Sequence, residues 1–207
     1  MSTVSLEAHG LSKAFTSRLV ITNLTFSAIS GEVIGILGAN GSGKSTVVRM
    51  IAGVLRPDSG YVKLHVGTSE IPRNAHPLSS GLVAPYLQVY EEFTPLELLS
   101  IHSAMRGLPS QSRADERVLE RVGLITRKDD HIKTFSSGLR QRMILALAVH
   151  LDPPLLLLDE PSVTMDDEGR RIVDNEITLQ RERGGIVFLA TNDSREHALC
   201  TRTMLLV

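Results

Sequence analysis

A glycine-rich segment around residue 40 has the residue types and spacing of a phosphate-binding loop. Residues 38–46 read Gly-Ala-Asn-Gly-Ser-Gly-Lys-Ser-Thr and fit the pattern G-x-x-x-x-G-K-[ST]. Glycines let the backbone wrap closely around phosphate oxygens, and a helix that begins there adds partial positive charge. Lys44 can reach the β- and γ-phosphates, and the Ser45 hydroxyl can hold Mg²⁺. The predicted binding residues are Gly38, Asn40, Gly41, Ser42, Gly43, Lys44, Ser45 and Thr46.

Two acidic residues follow a run of four leucines. Residues 155–158 are apolar enough for a buried strand, and Asp159 and Glu160 come directly after them. Ligands of parallel sheets bind at the carboxyl ends of the strands, so Asp159 would face the Mg²⁺ held by the loop. Glu160 would be placed to polarise a water molecule aimed at the γ-phosphate. Taken alone, such a pair is more often a solvated turn, and the loop upstream makes that the minor alternative.

The context of the loop supports its function and narrows the nucleotide. An apolar strand pattern at 33–37 precedes it and a helix pattern at 45–52 follows it, which disfavours a chance glycine-rich turn. The loop alone does not separate an ATPase from a GTPase or a kinase. The chain contains no Asn-Lys-x-Asp stretch, the usual guanine-recognition sequence, and this favours adenine.

The elements that must position these residues predict an α/β fold. Apolar runs alternate with helical stretches, which indicates a P-loop NTPase core with a mainly parallel sheet, an N-terminal antiparallel β region and a helical insertion. We expect one domain over 1–207, with the insertion at about 94–150. The predicted strands are 4–6, 24–29, 33–37, 61–64, 155–159, 186–190 and 203–207. The predicted helices are 45–52, one opened by Pro95, 113–122, 139–151, 166–182 and 194–199.

Composition excludes several classes of function. The net charge is −1, so no nucleic-acid partner is expected from bulk charge. The single cysteine, Cys200, cannot form an internal disulfide, which fits a reducing compartment. No secretory signal is visible, and no apolar stretch approaches the ~20 residues of a membrane-spanning helix. If the protein works at a membrane, another chain must span it.

Five features in order resemble the nucleotide-binding domain of ABC ATPases. The loop at 38–46 resembles Walker A, and 155–159 followed by Glu160 resembles Walker B with its catalytic glutamate. Residues 135–139, Phe-Ser-Ser-Gly-Leu, are similar to the Leu-Ser-Gly-Gly-Gln signature, and 161–166 are similar to the D-loop. Phe15 occupies the position at which the family stacks an aromatic ring on adenine.

The resemblance implies a dimeric motor that uses ATP and Mg²⁺. Ser136 and the backbone of Gly138 would donate hydrogen bonds to the γ-phosphate held by a second ATPase subunit, so that two copies, expected to be identical, enclose two ATP molecules. ATP would close this dimer, and hydrolysis would open it. The implied partner is a membrane-spanning permease subunit, bound through residues 86–92 and the helical insertion. The chain would then be peripheral on the cytoplasmic face of the membrane.

The chain departs from the family pattern at three places. In the signature, Ser137 and Leu139 replace the first glycine and the glutamine. Asn192 stands where the family usually has a histidine; it can hydrogen-bond the γ-phosphate but cannot carry a proton, which predicts slower hydrolysis. The third place is the glutamine that the family has between the main sheet and the helical insertion. The candidate here is Gln88, although counting back from 93–97 places the usual site nearer Pro85 or Tyr86. With these assignments, the predicted catalytic residues are Glu160, Asn192 and Gln88, and the predicted metal ligands are Ser45, Asp159 and Gln88.

Two other functions remain open from the sequence. One is a soluble ABC ATPase acting on nucleic acid or ribosomes, which usually has two fused cassettes, a coiled coil or a basic arm; none of these is visible. The other is a cassette that binds ATP but hydrolyses it poorly, which Asn192 favours and Lys44, Asp159 and Glu160 oppose. Many family members continue past the position of Val207, some of them into a regulatory domain, and we expect no such domain here. Substrate and direction of transport are not readable from the residues.

Overall fold

An N-terminal antiparallel sheet covers one side of the molecule. A computed structural model describes residues 3–16, 18–109 and 112–206. The sheet has the strand order β2-β1-β4-β5, and all its neighbours are antiparallel. Its long first hairpin ends next to the phosphate-binding loop. The strands are β1 (Val4–Phe15), β2 (Arg18–Ile29), β4 (Ser59–Val66) and β5 (Ser69–Ile71).

A five-stranded parallel sheet forms the centre. Its order is β6-β7-β8-β3-β9, so the strand before the phosphate-binding loop, β3, lies next to β8. Every residue of β7 and β8 is buried, as expected for parallel strands covered on both faces. The strands are β3 (Val33–Leu37), β6 (Ser80–Val83), β7 (Leu155–Asp159), β8 (Ile186–Ala190) and β9 (Arg202–Leu205).

Helices cover the parallel sheet and form the insertion. Helices α2, α3 and α4 come between β6 and β7, with short 3₁₀ turns at Ile125–Arg127 and Ile132–Thr134. A longer 3₁₀ segment, Arg73–Ser79, precedes β6. The helices are α1 (Lys44–Ile51), α2 (Pro95–Met105), α3 (Ser112–Arg121), α4 (Ser137–Val149), α5 (Asp167–Glu182) and α6 (Ser194–His197).

Alternating side chains of the central strands divide the core into two layers. Leu156 and Leu158 pack with the insertion helices and α5, whereas Leu155 and Leu157 pack with α1 and the antiparallel sheet. This alternation follows from the two-residue period of a strand. The central sheet is therefore held from both sides, and its carboxyl ends are fixed relative to the helix that follows the loop.

Most predicted elements are confirmed, and the misses have physical reasons. The strands predicted at 33–37, 155–159 and 186–190 are found with those bounds. The first two strands are much longer than predicted, because their exposed face is polar and their apolar pattern is broken by bulges. The strands β5 and β6 were not predicted, since both are short and β6 begins Ser-Gly. The last strand ends at Leu205, and Val207, where the predicted strand ended, lies outside the described residues.

Strand β6 needs its glycine. A Cβ atom at Gly81 would lie 2.0 Å from the backbone oxygen of Ala148 in α4. The close approach of helix and strand therefore excludes any side chain at this position. The same residue makes the segment read as a turn in the sequence, which explains why the strand was missed.

A buried hydrogen-bond relay joins the three insertion helices. Asp115 Oδ1 of α3 lies 2.6 Å from Nε2 of His150, the residue that ends α4. His150 Nδ1 lies 3.0 Å from Nδ1 of His102 in α2, and His102 Nε2 lies 3.3 Å from a guanidinium nitrogen of Arg106. Arg106 also donates to the backbone oxygen of Leu78, in the segment before β6. The relay thus connects the insertion to the central sheet.

The relay has one consistent assignment of protons. Arg106 can only donate, so His102 Nε2 must accept and its proton lies on Nδ1. That proton is donated to His150 Nδ1, whose own proton on Nε2 is donated to Asp115. A second proton on either imidazole would place two N–H groups against each other. Both histidines are therefore neutral in the intact relay.

The stability of the protein should fall between pH 7 and pH 5 because of His102. Burial, together with the charge of Arg106, lowers the pKa of His102 from 6.5 to about 4. The unfolded chain therefore binds a proton at His102 near pH 6.5, whereas the folded chain does not. The free energy of unfolding falls by about 2 kcal/mol between pH 7 and pH 5 as a result. Urea unfolding at pH 7 and pH 5 measures it. His102→Gln should weaken this dependence, and the part that remains should come from His76, whose pKa is also lowered by burial. His65→Gln, at a partly exposed histidine of β4, should keep the full dependence. Equal wild-type stability at the two pH values would contradict the assignment.

Candidate active site

A cavity of about 430 Å³ lies where β3 passes into α1. Its walls come from the end of β1, the start of β2, the phosphate-binding loop and the end of β7. The lining residues are Phe15, Val20, Asn40, Gly41, Gly43, Lys44, Ser45, Thr46 and Glu160. Most of the site residues predicted from the sequence are thus brought together in one place.

The loop has a conformation that its glycines permit. Gly41 and Gly43 have φ angles of 83° and 100°, in the left-handed region. Gly43 directly precedes α1, so the first free N–H groups of the helix face the cavity. Lys44 Nζ donates to the backbone oxygen of Gly38 over 2.8 Å, and the buried hydroxyl of Ser42 has no partner among the described residues. The free N–H groups at the start of α1 are therefore the donors that the loop offers to an anion in the cavity.

Asp159 and Ser45 form a pair of oxygen donors beside the loop. Asp159 ends β7 and is only 2% exposed, and its carboxylate accepts a hydrogen bond from the Ser45 hydroxyl. Burial is the main cause that raises the pKa of Asp159, with the charge of Glu160 adding to it, while the Ser45 hydrogen bond, Arg49 and Lys44 oppose the rise. A hydroxyl and a carboxylate oxygen are ligands that suit Mg²⁺.

Glu160 is held at the cavity by an unusual backbone conformation. Its φ angle is 48°, and its N–H donates to the backbone oxygen of Ala190 over 2.8 Å. For a residue with a side chain this region is sparsely populated, and such strain is found at functional sites. The side chain borders the 430 Å³ cavity and also a neighbouring cavity of about 300 Å³. It is thus at the junction between the loop and the end of β8.

Asn192 contacts the phosphate-binding loop directly. It follows β8, and its Nδ2 donates to Asn40 Oδ1 over 2.8 Å. Both side chains line the 300 Å³ cavity together with Glu160. The residue is therefore in reach of the loop, and it brings a hydrogen-bonding amide rather than an ionisable ring.

Phe15 forms one wall of the cavity. It is the last residue of β1 and is 44% exposed. The ammonium group of Lys13 lies 5.8 Å from the centre of its ring. A half-exposed aromatic ring next to a phosphate-binding loop is suited to stacking on a base, which is the predicted role.

Ser136 and Gly138 do not line the cavity of their own chain. Ser136 is the N-cap of α4; its hydroxyl accepts a hydrogen bond from the N–H of Leu139 over 3.3 Å and is exposed. Gly138, in the first turn, lies close to the backbone oxygen of Thr164. The start of α4 is therefore outside the cavity of its own chain, with Ser136 exposed.

Gln88 is not placed with the other predicted site residues. It is exposed in the loop after β6 and lines neither of the two cavities. Its predicted roles as catalytic residue and metal ligand therefore have no contact to support them. In the same loop, the ring of Tyr86 instead covers the guanidinium of Arg49, with 4.0 Å from Cζ to the ring centre.

Comparison with known proteins identifies the family. The family model described as ABC transporter matches residues 21–163, more than half of the chain. The chain belongs to the ABC transporter family. The predicted family, the fold and the role as an ATP-binding, ATP-hydrolysing subunit are confirmed.

Several characterised and uncharacterised ABC transporter subunits are similar in sequence. Nod factor export ATP-binding protein I of Rhizobium sp. (strain N33) is 32% identical, over 100% of this chain and 69% of its own length. Linearmycin resistance ATP-binding protein LnrL of Bacillus subtilis (strain 168) is 34% identical, over 95% of this chain and 64% of its own length. The chain thus spans about two thirds of the length of such ABC transporter subunits.

Solved ABC structures have the same fold. An ATP-binding subunit of an ABC transporter superimposes with a TM-score of 0.83 at 26% identity, covering 97% of this chain and 85% of the other. A dimeric ATP-binding cassette in a post-hydrolysis state with ADP and Pi gives 0.84 at 21% identity, covering 97% and 94%. At that identity the second likeness concerns the fold alone.

Replacing Gly43 with alanine should weaken ATP binding far more than the same change at Gly41. A Cβ atom at Gly43 would lie 2.7 Å from Ile21 Cδ1, whereas nothing lies within 4 Å of one at Gly41. Both changes strain a positive φ, but only Gly43→Ala must also displace its neighbours. We expect the Kd for a fluorescent ATP analogue to rise at least about tenfold for Gly43→Ala and about twofold to threefold for Gly41→Ala. Thermal unfolding curves control for folding, and equal Kd values for the two variants would contradict this reading of the loop.

Proposed function

We propose that this chain is the ATPase subunit that drives a membrane transporter, with MgATP bound in the 430 Å³ cavity. The observation that carries the proposal is the convergence of the loop, the Ser45–Asp159 pair and Glu160 on that cavity. Residues 1–207 would act as one ATPase domain, with α2 to α4 as its helical insertion. Phe15 would stack on the adenine.

The residues of the site have separate tasks in ATP hydrolysis. Backbone N–H groups from Gly41 to Ser45 would bind the phosphates, and Lys44 would exchange the backbone oxygen of Gly38 for phosphate oxygens. Ser45 and Asp159 would hold Mg²⁺, which supplies charge neutralisation to the leaving phosphates. Glu160 would orient and polarise the attacking water.

Asn192 favours slow turnover. Its amide can donate to a γ-phosphate once it releases Asn40, but it cannot accept or deliver a proton in the reaction. Proton transfer then depends on Glu160 alone. The presence of Lys44, Ser45 and Glu160 at the cavity supports an ATPase of low rate over one that does not hydrolyse.

A second copy of the chain would complete the site. Ser136 and Gly138 present helix N–H groups away from their own cavity, and Gly138 leaves room for a phosphate to approach the backbone. In a two-fold dimer the start of α4 of each copy would cover the cavity of the other. The solved cassette of the same fold is dimeric, which supports the pairing of two copies.

A membrane-spanning subunit is the proposed third component. None of the helices in the described part of the chain has the length and apolar character that crossing a bilayer requires. An open groove of about 510 Å³ borders α2, and exposed Tyr86 and Tyr90 lie in the loop that leads to it. We expect the permease to dock there, which would place the chain on the cytoplasmic face of the membrane. The groove is lined by Phe93, Thr94, Leu96, Glu97, Ser100, Ile101 and Asp129.

The similar subunits support export as the direction of transport. Several of them are named for Nod factor export. Co-purification from detergent-solubilised membranes tests the transporter role: a permease should accompany this chain. Recovery with ribosomes or nucleic acid would instead favour the soluble alternative.

Glu160→Gln should abolish most of the ATPase activity. The amide keeps the shape of the side chain but cannot polarise the attacking water, so we expect turnover to fall by about 100-fold or more while the Kd for ATP changes by less than about threefold. Steady-state phosphate release measures turnover. The control is Glu182→Gln, at the exposed end of α5, which should behave as the wild type. Equal turnover of wild type and Glu160→Gln would reject Glu160 as the catalytic residue.

Two inactive variants should complement each other when mixed. Lys44→Ala damages the loop and Ser136→Glu damages the start of α4, so each homodimer has two defective sites. A mixed dimer has one intact site, formed by the loop of one copy and the α4 start of the other. A 1:1 mixture should recover roughly a quarter of wild-type turnover, because half of the dimers are mixed and each has one of two sites. No recovery, with each variant still folded, would contradict the shared site.

A further inference from the structure

The loop before α2 is joined by its backbone to the segment that leads into α4. Lys133 N–H donates to the backbone oxygen of Glu91 over 3.0 Å. Ile132 N–H donates to the backbone oxygen of Phe93, also over 3.0 Å. Both donors lie just before Ser136, the cap of α4, so the path of the chain into this helix is fixed against the loop.

Arg140 adds an ion pair to this junction. It lies at the end of the first turn of α4, where its backbone N–H donates to the backbone oxygen of Ser136 over 2.9 Å. Its Nη1 lies 3.1 Å from Oε1 of Glu91, and its Nη2 donates to the backbone oxygen of Lys133 over 3.3 Å. Side chains of a helix lean back towards its N-terminus. The guanidinium therefore connects the first turn of α4 with both sides of the junction.

The position of Arg140 requires a compensating anion. The N-terminus of a helix carries partial positive charge, so an arginine in its first turn is unfavourable by itself. The buried Nε of Arg140 has no hydrogen-bond partner among the described residues. The two terminal nitrogens, bound at Glu91 and at the Lys133 oxygen, therefore decide where the guanidinium lies.

The direction of the α4 start matters because it acts on another copy of the chain. In the proposed dimer, Ser136 and Gly138 donate hydrogen bonds to the γ-phosphate in the cavity of the partner. Donors to a reacting phosphate are effective only within a narrow range of distances and angles. A contact that fixes the first turn of α4 would therefore affect hydrolysis at the partner's site and not at the site of its own chain.

The stability of the fold does not depend on this ion pair. The side chains of Arg140 and Glu91 are 37% and 45% exposed, and ion pairs with such exposure contribute little to folding. The backbone hydrogen bonds of the junction remain when the pair is removed. The effect of its loss on hydrolysis can therefore be measured in a folded protein.

We propose that Arg140, held by Glu91, is a positioning residue that sets the direction of the α4 start for hydrolysis of the ATP bound by a second copy. Arg140 acts through Ser136 and Gly138 and does not contact the nucleotide. Neither Arg140 nor Glu91 lines the two cavities of its own chain. The inference rests on the proposed function, because it needs the shared site of the dimer.

The test uses mixed dimers with one intact site. A loop-defective copy has Lys44→Ala and a start-defective copy has Ser136→Glu, so the intact site combines the loop of the second copy with the α4 start of the first. Arg140→Met or Glu91→Gln is then added either to the loop-defective copy or to the start-defective copy. Phosphate release gives the turnover of each 1:1 mixture, and thermal unfolding curves control for folding.

The matched control is another half-exposed ion pair of the insertion. Lys128 Nζ lies 2.5 Å from Glu116 Oε1, with side chains that are 33% and 41% exposed. This pair joins α3 to the segment that follows it and does not involve α4. Lys128→Met and Glu116→Gln remove the same charges as the test variants and should leave the turnover of the mixture unchanged in either copy.

The expected result depends on which copy carries the change. In the loop-defective copy, Arg140→Met should lower the recovered turnover about tenfold and Glu91→Gln about threefold to fivefold. In the start-defective copy, either change should keep turnover within about twofold, because that α4 start is already disabled. When Arg140→Met is present in the loop-defective copy, adding Glu91→Gln should have no further effect, since both changes remove the same pair.

Three results would overturn the proposal. Equal losses in the two placements would show a structural defect, because such a defect acts in either copy. A loss with Arg140→Met and none with Glu91→Gln would show that Arg140 acts without Glu91. Additive effects of the two changes would show that they do not act through one pair.

The mixture that carries only Lys44→Ala and Ser136→Glu tests the proposed function separately. If this mixture recovers no turnover, the shared site fails, and the inference fails with it. If it recovers turnover and Arg140→Met in the loop-defective copy changes nothing, only the positioning role of Arg140 fails.

Discussion

The burial of the Asp159 carboxylate is the constraint around which the site is built. It ends a strand in which all five residues are buried, and it is itself 2% exposed. A carboxylate in such a position is unfavourable unless positive charge and hydrogen bonds compensate it. The Ser45 hydroxyl, Arg49 and Lys44 provide that compensation in part, and a divalent ion would complete it. Affinity for metal and phosphate thus follows from how the core is packed.

The same packing explains why the site is made of parts far apart in the sequence. Parallel strands end at one edge of the sheet, so the loop after β3, the acids after β7 and Asn192 after β8 meet there. The turn after β6 adds Tyr86 at the same edge. Each of these groups follows the end of its own strand, and only the order of the strands in the sheet makes the groups neighbours.

Helix α4 links the site to the insertion through its two ends. Its start carries the exposed cap Ser136, and its end carries His150, which belongs to the relay between Asp115 and Arg106. Because the relay also reaches the segment before β6, the orientation of α4 is set by buried polar contacts and not by apolar packing alone. Polar contacts are directional, whereas apolar packing can slide, so the relay defines where the start of α4 points.

The sequence by itself determined the elements and residues whose signal is local. The loop at 38–46 and the apolar strand before Asp159 depend on spacing within a few residues, and both are found where the pattern placed them. The tertiary structure alone decided which distant residues meet. It places Gln88 outside the two cavities, Arg49 against Tyr86 and His102 against His150. Such contacts between elements depend on strand order and helix packing, and no periodic pattern in the sequence indicates them.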